Sequence, residues 1–210
     1  PDGRTAVAVH WDGECLGDLV LRVPGLHNVR NALAAVSAGL ALGATLEAMR
    51  PGLEAFTGVE RRFQRLGSSA GVDVVDDYAH HPTEVTATLD AARTAFPGRP
   101  IVAAFQPHLF SRTRDFAVAF ADALAAADAC YLADIYPSRE QPIPGVTSQL
   151  IADAMARRGR APVWQGARSA LAGVLADAVR AGDVVLTMGA GDITRTGPEL
   201  LARLTTRPGA

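Results

Sequence analysis

The stretch Val72-Asp73-Val74-Val75-Asp76-Asp77-Tyr78-Ala79-His80-His81-Pro82-Thr83-Glu84 decides how the rest of the chain is read. A short β-branched run predicts a strand, and it ends abruptly in two carboxylates, a phenol and two imidazoles. Pro82 blocks further strand pairing, and Thr83-Glu84 open an alanine-rich helical pattern. A strand that delivers polar side chains to its carboxyl end matches the edge at which α/β sheets bind ligands. A single Asp or His there would mean only a polar turn. Five ionisable side chains within six residues, next to apolar sequence, are costly to hold together without partners, which points to a site.

Downstream of this stretch the alternation is regular. Strands are expected at 72–75, 101–105, 129–132, 162–165 and 183–188, and helices at 83–96, 112–127, 148–158, 167–180 and 198–204. Strands separated by helices of this length imply right-handed crossovers: an α/β fold, a mostly parallel sheet with helices on both faces. Upstream, strands at 5–10 and 19–23 precede a helix beginning near Leu26 and a second from Thr45 to Phe56, in which Pro51 should introduce a break or kink. The change of pattern at Gly58-Val59-Glu60-Arg61-Arg62-Phe63-Gln64 marks a domain boundary, with one domain expected over 1–61 and another over 62–210.

Composition narrows the options further. The chain has 210 residues, 49% hydrophobic and 20% charged, a folded rather than disordered balance. A formal net charge of −2 gives no electrostatic case for nucleic acid or an anionic membrane, so an anionic ligand would need local positive groups. Cys15 and Cys130 have no metal-ligand spacing and are expected to stay reduced, in a cytoplasmic setting. No apolar run suits a bilayer span. The chain starts at Pro1 rather than Met, and it has no Gly-x-x-x-x-Gly-Lys-Ser/Thr anywhere; together these suggest a piece of a larger protein.

Four clusters carry chemistry. His27, Asn28 and Asn31 stand at a helix start, with the two amides three residues apart on one face. Their donor–acceptor pattern matches an adenine edge, although an Asn here could equally be a helix cap. Arg61 and Arg62 suit an anion or a solvated hinge. Asp76, Asp77, Tyr78, His80 and His81 form the third cluster; a strand-end Asp can accept from ribose hydroxyls. Neighbouring histidines on an extended backbone point oppositely, so a structural and a functional His are expected rather than a metal pair. Gln106, His108, Ser111, Arg112 and Arg114 follow the next strand. The weaker Gly189-Ala190-Gly191-Asp192 reads as an anion-approaching turn or as a plain strand-to-helix turn.

Five segments taken together carry a resemblance: His27-Asn28-x-x-Asn31-Ala32-x-Ala34-Ala35; Gly58-Val59-x-Arg61-Arg62-Phe63; Asp76 to Glu84; Phe105-Gln106-Pro107-His108; and Gly189-Ala190-Gly191-Asp192-Ile193. In this order they resemble the Mur ligase family, along nearly the whole chain. The resemblance implies the tail of a central ATPase domain followed by a C-terminal Rossmann-like domain. It also implies the branch that serves peptidoglycan synthesis by joining L-alanine to UDP-N-acetylmuramate. There ATP phosphorylates the muramoyl carboxylate and the amine attacks the acyl phosphate. Mg²⁺ would be bound mainly outside this chain, and residues 1–210 alone would be inactive. His27, Asn28, Asn31, Arg62 and Asp77 would serve ATP, with Arg61 a weaker claimant for the phosphates. Tyr78, His80, His108 and Arg112 would face the substrates, with His80 and Arg112 catalytic. No metal ligands are expected in the chain itself.

One position departs from the family pattern: Leu109 stands where Arg commonly follows Pro-His. This leaves Arg112 as the motif arginine and Arg114 as a substitute. Two rival readings remain open. One is a sister ligase that attaches a recycled peptide, against which Phe105 to Arg112 argues; the other is a nucleotide-binding module without chemistry.

Overall fold

The computed structural model describes residues 4–23 and 25–207. The chain divides into two compact units, Pro1–Val59 and Glu60–Ala210.

The first unit is a hairpin and two helices. Strands β1 (Thr5–Trp11) and β2 (Glu14–Leu21) pair antiparallel across Asp12-Gly13, both at positive φ as a tight two-residue turn requires. Alternation turns Val9, Leu19 and Leu21 inward, where they bury against Val36 of α1 (Leu26–Ala41) and Leu46 of α2 (Leu46–Ala55). Thr45 caps α2 by accepting from the Ala48 N–H at 3.3 Å. The helix passes through Pro51 as one ten-residue element, so the expected break does not occur there.

The second unit is a six-stranded sheet in the order β3-β4-β8-β5-β6-β7. Its strands are β3 (Gln64–Ser69), β4 (Val72–Asp77), β5 (Ile101–Phe105), β6 (Ala129–Ala133), β7 (Trp164–Gly166) and β8 (Val184–Met188). Only β3 runs antiparallel to its neighbour; the other pairings are parallel. The sheet is thus mixed but mostly parallel, with helices around it, as expected. Strand β3 was not foreseen: it is a polar edge hairpin, turned at Ala70-Gly71.

Helices α3 (Pro82–Ala95), α4 (Phe110–Leu124) and α5 (Gln149–Ala156) follow β4, β5 and β6; α6 (Arg168–Ala178) and α7 (Thr196–Thr205) flank β8 in sequence. One core places Val85, Leu89, Phe120 and Met155 against Val75, Ile101, Ala103, Phe105 and Leu186. The other places Leu171, Leu175, Leu200 and Leu204 against Val72, Val74, Val102, Ala104 and Val185. Strands with both faces covered need no alternation, and β5 and β8 are buried at every residue. Each buried Val, Leu, Ile, Phe or Met among them contributes roughly 1.5–3 kcal/mol by leaving water.

The two cysteines differ sharply: Cys15 is exposed, whereas burial pushes the Cys130 thiol up to about 12. At pH 8 a maleimide should therefore label Cys15 alone and reach Cys130 only in denaturant. Native labelling of both thiols at similar rates would contradict this burial.

Candidate active site

Strand β4 ends with two buried carboxylates that have different partners. Asp76 is fully buried and accepts from Thr187 Oγ1 at 2.6 Å and Thr194 Oγ1 at 2.8 Å. Its Oδ2 also lies 3.4 Å from Arg61 Nε. Asp77 accepts from the backbone N–H groups of Phe63 at 2.7 Å and Ala79 at 2.8 Å. Burial pushes its carboxyl above the usual range, against the pull of those amides and of Arg62. Asp77 therefore ties the segment before β3 to the turn after β4, a structural task that the sequence reading did not assign it.

The adjacent arginines have separate environments. Arg61 Nη2 donates to the carbonyls of Gly189 at 2.6 Å and Gly191 at 3.3 Å, and its guanidinium lies 4.7 Å from the Tyr78 ring centre. Its N–H donates to Gln64 Oε1, and its carbonyl accepts from Tyr78 N–H at 2.7 Å. All this is done at φ +60°, with Phe63 at +47°: two left-handed non-glycine residues within three positions, the kind of strain that gathers at sites. Arg62 is exposed and lies 5.8 Å from the same ring. Arg61 is committed to the fold; Arg62 is the one presented to solvent.

The turn into α3 splits the histidine pair. His81 is the N-cap, its Nδ1 accepting from Thr83 N–H at 3.4 Å. Glu84 returns to accept from the N–H groups of His80 at 2.9 Å and His81 at 3.2 Å. Burial opposes ionisation of Glu84, but the His80 N–H, the His80 ring, the His81 N–H and Arg62 together hold its carboxyl below the usual range. His80 Nδ1 stands 3.0 Å from the Tyr78 carbonyl and 3.1 Å from Glu84 Oε2. Both are acceptors, so the proton sits on Nδ1 and Nε2 is left for another partner.

At the end of β5, Gln106 is buried, its amide donating to Asp192 Oδ1 at 2.8 Å and its oxygen accepting from Ile193 N–H at 3.0 Å. A Cβ on Gly191 would meet the Tyr136 ring at 2.5 Å and Gln106 Oε1 at 2.6 Å. The glycine turn is therefore filled by protein, and its carbonyls face Arg61. It acts as a latch rather than an anion cradle.

Next to it, His108 and Arg112 are i, i+4 partners across the start of α4. Arg112 Nη1 donates to His108 Nδ1 at 3.3 Å, which puts the imidazole proton on Nε2. The His108 ring stacks on Tyr136 at 5.8 Å and meets His80 edge-on at 5.9 Å. Tyr78 in turn meets His80 edge-on at 5.1 Å. Tyr78, His80, His108 and Arg112 thus form one continuous wall. Arg114 is not part of it: it is exposed and paired with Asp115.

Burial lowers the His108 pKa and the positive charge of Arg112 lowers it further, against the opposing pull of Glu140. The unfolded chain takes up this proton near pH 6.5, above the folded value. The stability tied to neutral His108 is thus present above pH 6.5 and is lost as pH falls through the folded pKa. Nitrogen-detected NMR at pH 7 should show a neutral His108 protonated at Nε2; a charged ring, or a proton on Nδ1, would contradict the assigned donor.

In the first unit, Asn28 and Asn31 lie on α1, half-buried and exposed respectively. The N-cap is Gly25, at φ +97°, with no side-chain cap, so neither Asn serves as the cap. His27 belongs to α1, and its side chain lies outside the described residues.

A family profile described as "Mur ligase, glutamate ligase domain" matches residues 61–191, which include Arg61, Asp76, Tyr78, His80, His108, Arg112 and the glycine turn. The chain belongs to the Mur ligase family. Among relatives, the UDP-N-acetylmuramate–L-alanine ligase of Kineococcus radiotolerans is 52% identical over 98% of this chain and 44% of its own length. That of Cutibacterium acnes is 49% identical over 97% of this chain and 43% of its own. The crystal structure of the UDP-N-acetylmuramate-alanine ligase from Thermotoga maritima superposes with a TM-score of 0.82, at 31% identity, over 96% of this chain and 43% of that one. The chain spans less than half the length of the curated relatives it matches.

Two residues beside this Mur ligase wall were not singled out from sequence, Tyr136 and Glu140, and the pairing of Asp76 with two hydroxyls was not foreseen. Tyr136 follows a strand, and Glu140 sits in the Pro-rich loop 134–147; each could have been flagged by being polar or aromatic at a carboxyl strand edge.

Proposed function

We propose that this chain is part of an ATP-dependent amide ligase that joins L-alanine to UDP-N-acetylmuramate through an acyl phosphate, in the cytoplasm. The observation that carries the reading is the wall of Tyr78, His80, His108 and Arg112, combined with about 50% identity to ligases of that name. In this reading residues 1–61 are the tail of the ATP-binding domain, with His27, Asn28 and Asn31 toward the adenine. Residues 62–210 are the C-terminal ligase domain. Arg62 faces the phosphates, and Asp77 reaches the ribose with the lone pairs left over by the Phe63 and Ala79 amides and the Thr88 hydroxyl.

Arg112 holds the amino-acid carboxylate in a fork of parallel hydrogen bonds. His80 takes a proton from the alanine ammonium at Nε2 while Glu84 and the Tyr78 carbonyl hold Nδ1–H. The freed amine attacks the acyl carbon; the amide bond forms as the acyl–phosphate bond breaks, and inorganic phosphate leaves with the second amine proton. Among the described residues no three His, Cys, Asp or Glu converge as metal ligands; the Mg²⁺ of this reaction would be held mainly by the part of the protein outside this chain. No described helix is long and apolar enough to cross a membrane.

The test is phosphate release by the full-length protein with ATP, UDP-N-acetylmuramate and, in turn, L-alanine, glycine, L-serine and a muramoyl tripeptide. Release that depends on L-alanine is expected; dependence on the peptide alone would favour the sister ligase. Residues 1–210 by themselves lack the loop that cradles phosphates, so they should show no steady ATPase activity. Turnover by the purified chain would overturn that assignment.

A further inference from the structure

The first turn of α4 carries Arg112, yet its N-cap, Leu109, offers no capping side chain and stands at φ +73°. The missing cap comes from another part of the fold. Glu140, 29 residues beyond Ser111, accepts from Ser111 N–H at 2.9 Å and from the Ser111 hydroxyl. The Phe110 N–H also points to this carboxylate. The loop bearing Glu140 is fastened to the same corner by backbone: Tyr136 N–H donates to the Pro107 carbonyl at 2.8 Å, and Leu109 N–H donates to the Tyr136 carbonyl at 3.0 Å. The Tyr136 ring then covers His108.

A helix amino end attracts anions, and a substrate carboxylate entering beside Arg112 would be drawn to its free amides. Here a protein carboxylate already occupies that position. We infer that Glu140 is a positioning residue: it fixes the first turn of α4 and fills its anion position, leaving the Arg112 guanidinium as the place for the amino-acid carboxylate. This rests on the ligase reading above.

The experiment uses the full-length ligase with Glu140→Ala and Glu140→Gln. Glu140→Ala should raise the KM for L-alanine about tenfold while the KM for ATP stays within about twofold. Glu140→Gln should fall between, since its one carbonyl oxygen can still accept an N–H. Amide exchange at Phe110 and Ser111 should accelerate in Glu140→Ala, while the buried turn around Phe120 stays protected. A lower Tm with an unchanged ratio of the two KM values would reduce Glu140 to a structural residue and overturn the inference. Unchanged exchange at Phe110 and Ser111 would also overturn it. If the wild-type enzyme ligates no L-alanine, the ligase reading falls instead, and the inference falls with it.

Discussion

Arg61→Ala is expected to destabilise the second unit by about 3 kcal/mol, the low end for breaking a buried ion pair. The guanidinium keeps one-quarter of its side-chain surface exposed, which tempers its own loss. The larger cost falls on what it leaves behind. Asp76 would keep only its two hydroxyl donors in a fully buried place, and the carbonyls of Gly189 and Gly191 would lose a charged donor. For a domain of this size the change corresponds to a Tm lower by roughly 6–12 °C. Arg62→Ala, removing an exposed side chain, should move Tm by no more than about 1–2 °C. Thermal unfolding of the two variants side by side decides the matter: equal Tm losses would mean that Arg61 is not the latch between β4 and β8. The contrast also separates roles in catalysis, since in the proposed reaction Arg62 should affect the KM for ATP without touching stability.

The second large effect is expected at Arg112. An ammonium cannot reproduce the two parallel hydrogen bonds of a guanidinium to a carboxylate, nor can it readily span to His108 Nδ1 at the same time. Arg112→Lys in the full-length enzyme should raise the KM for L-alanine by about tenfold or more, roughly 1.4 kcal/mol, and barely alter that for ATP. The structure strengthens the case for this residue acting without a second arginine, because Arg114 is turned away and paired with Asp115. Leu109→Arg should partly rescue Arg112→Lys if both positions face one carboxylate. Damage to ATP binding with alanine untouched would show instead that Arg112 faces the phosphates.

Much of this architecture could be read from the residues. The strand-to-helix alternation and the polar strand ends follow from Pro82, from runs such as Val184 to Met188 buried on both faces, and from ionisable residues that stop those runs. Strand β3 escaped because only Leu66 gives it an apolar face, while its remaining character comes from a hairpin turn and from pairing with β4. The division of work between Arg61 and Arg62 was also hidden. Two identical side chains in sequence differ only through backbone: a left-handed turn at Arg61 sends one to the glycine carbonyls and the other to solvent. Likewise nothing local to Asp76 assigned it a task of its own: its hydroxyl partners, Thr187 and Thr194, lie more than 100 residues away. Long-range partners of this kind leave no local pattern.

The order of the strands bears on how the protein is made. Strands β4 and β5 lead into the wall, yet they are not neighbours; β8, the last of the described strands in sequence, lies between them. During synthesis the ribosome delivers β4 and β5 with an empty lane between them for some 80 residues. Their inner edges are then unpaired hydrogen-bonding ladders flanked by apolar side chains, the features by which nascent chains stick to one another. Pairing across so long a separation is slow, because loop-closure entropy must be met before contacts reward it. The wall of Tyr78, His80, His108 and Arg112 therefore cannot be in register until Val184 to Met188 has left the exit tunnel, and a chain halted short of that point needs chaperone shielding rather than more time.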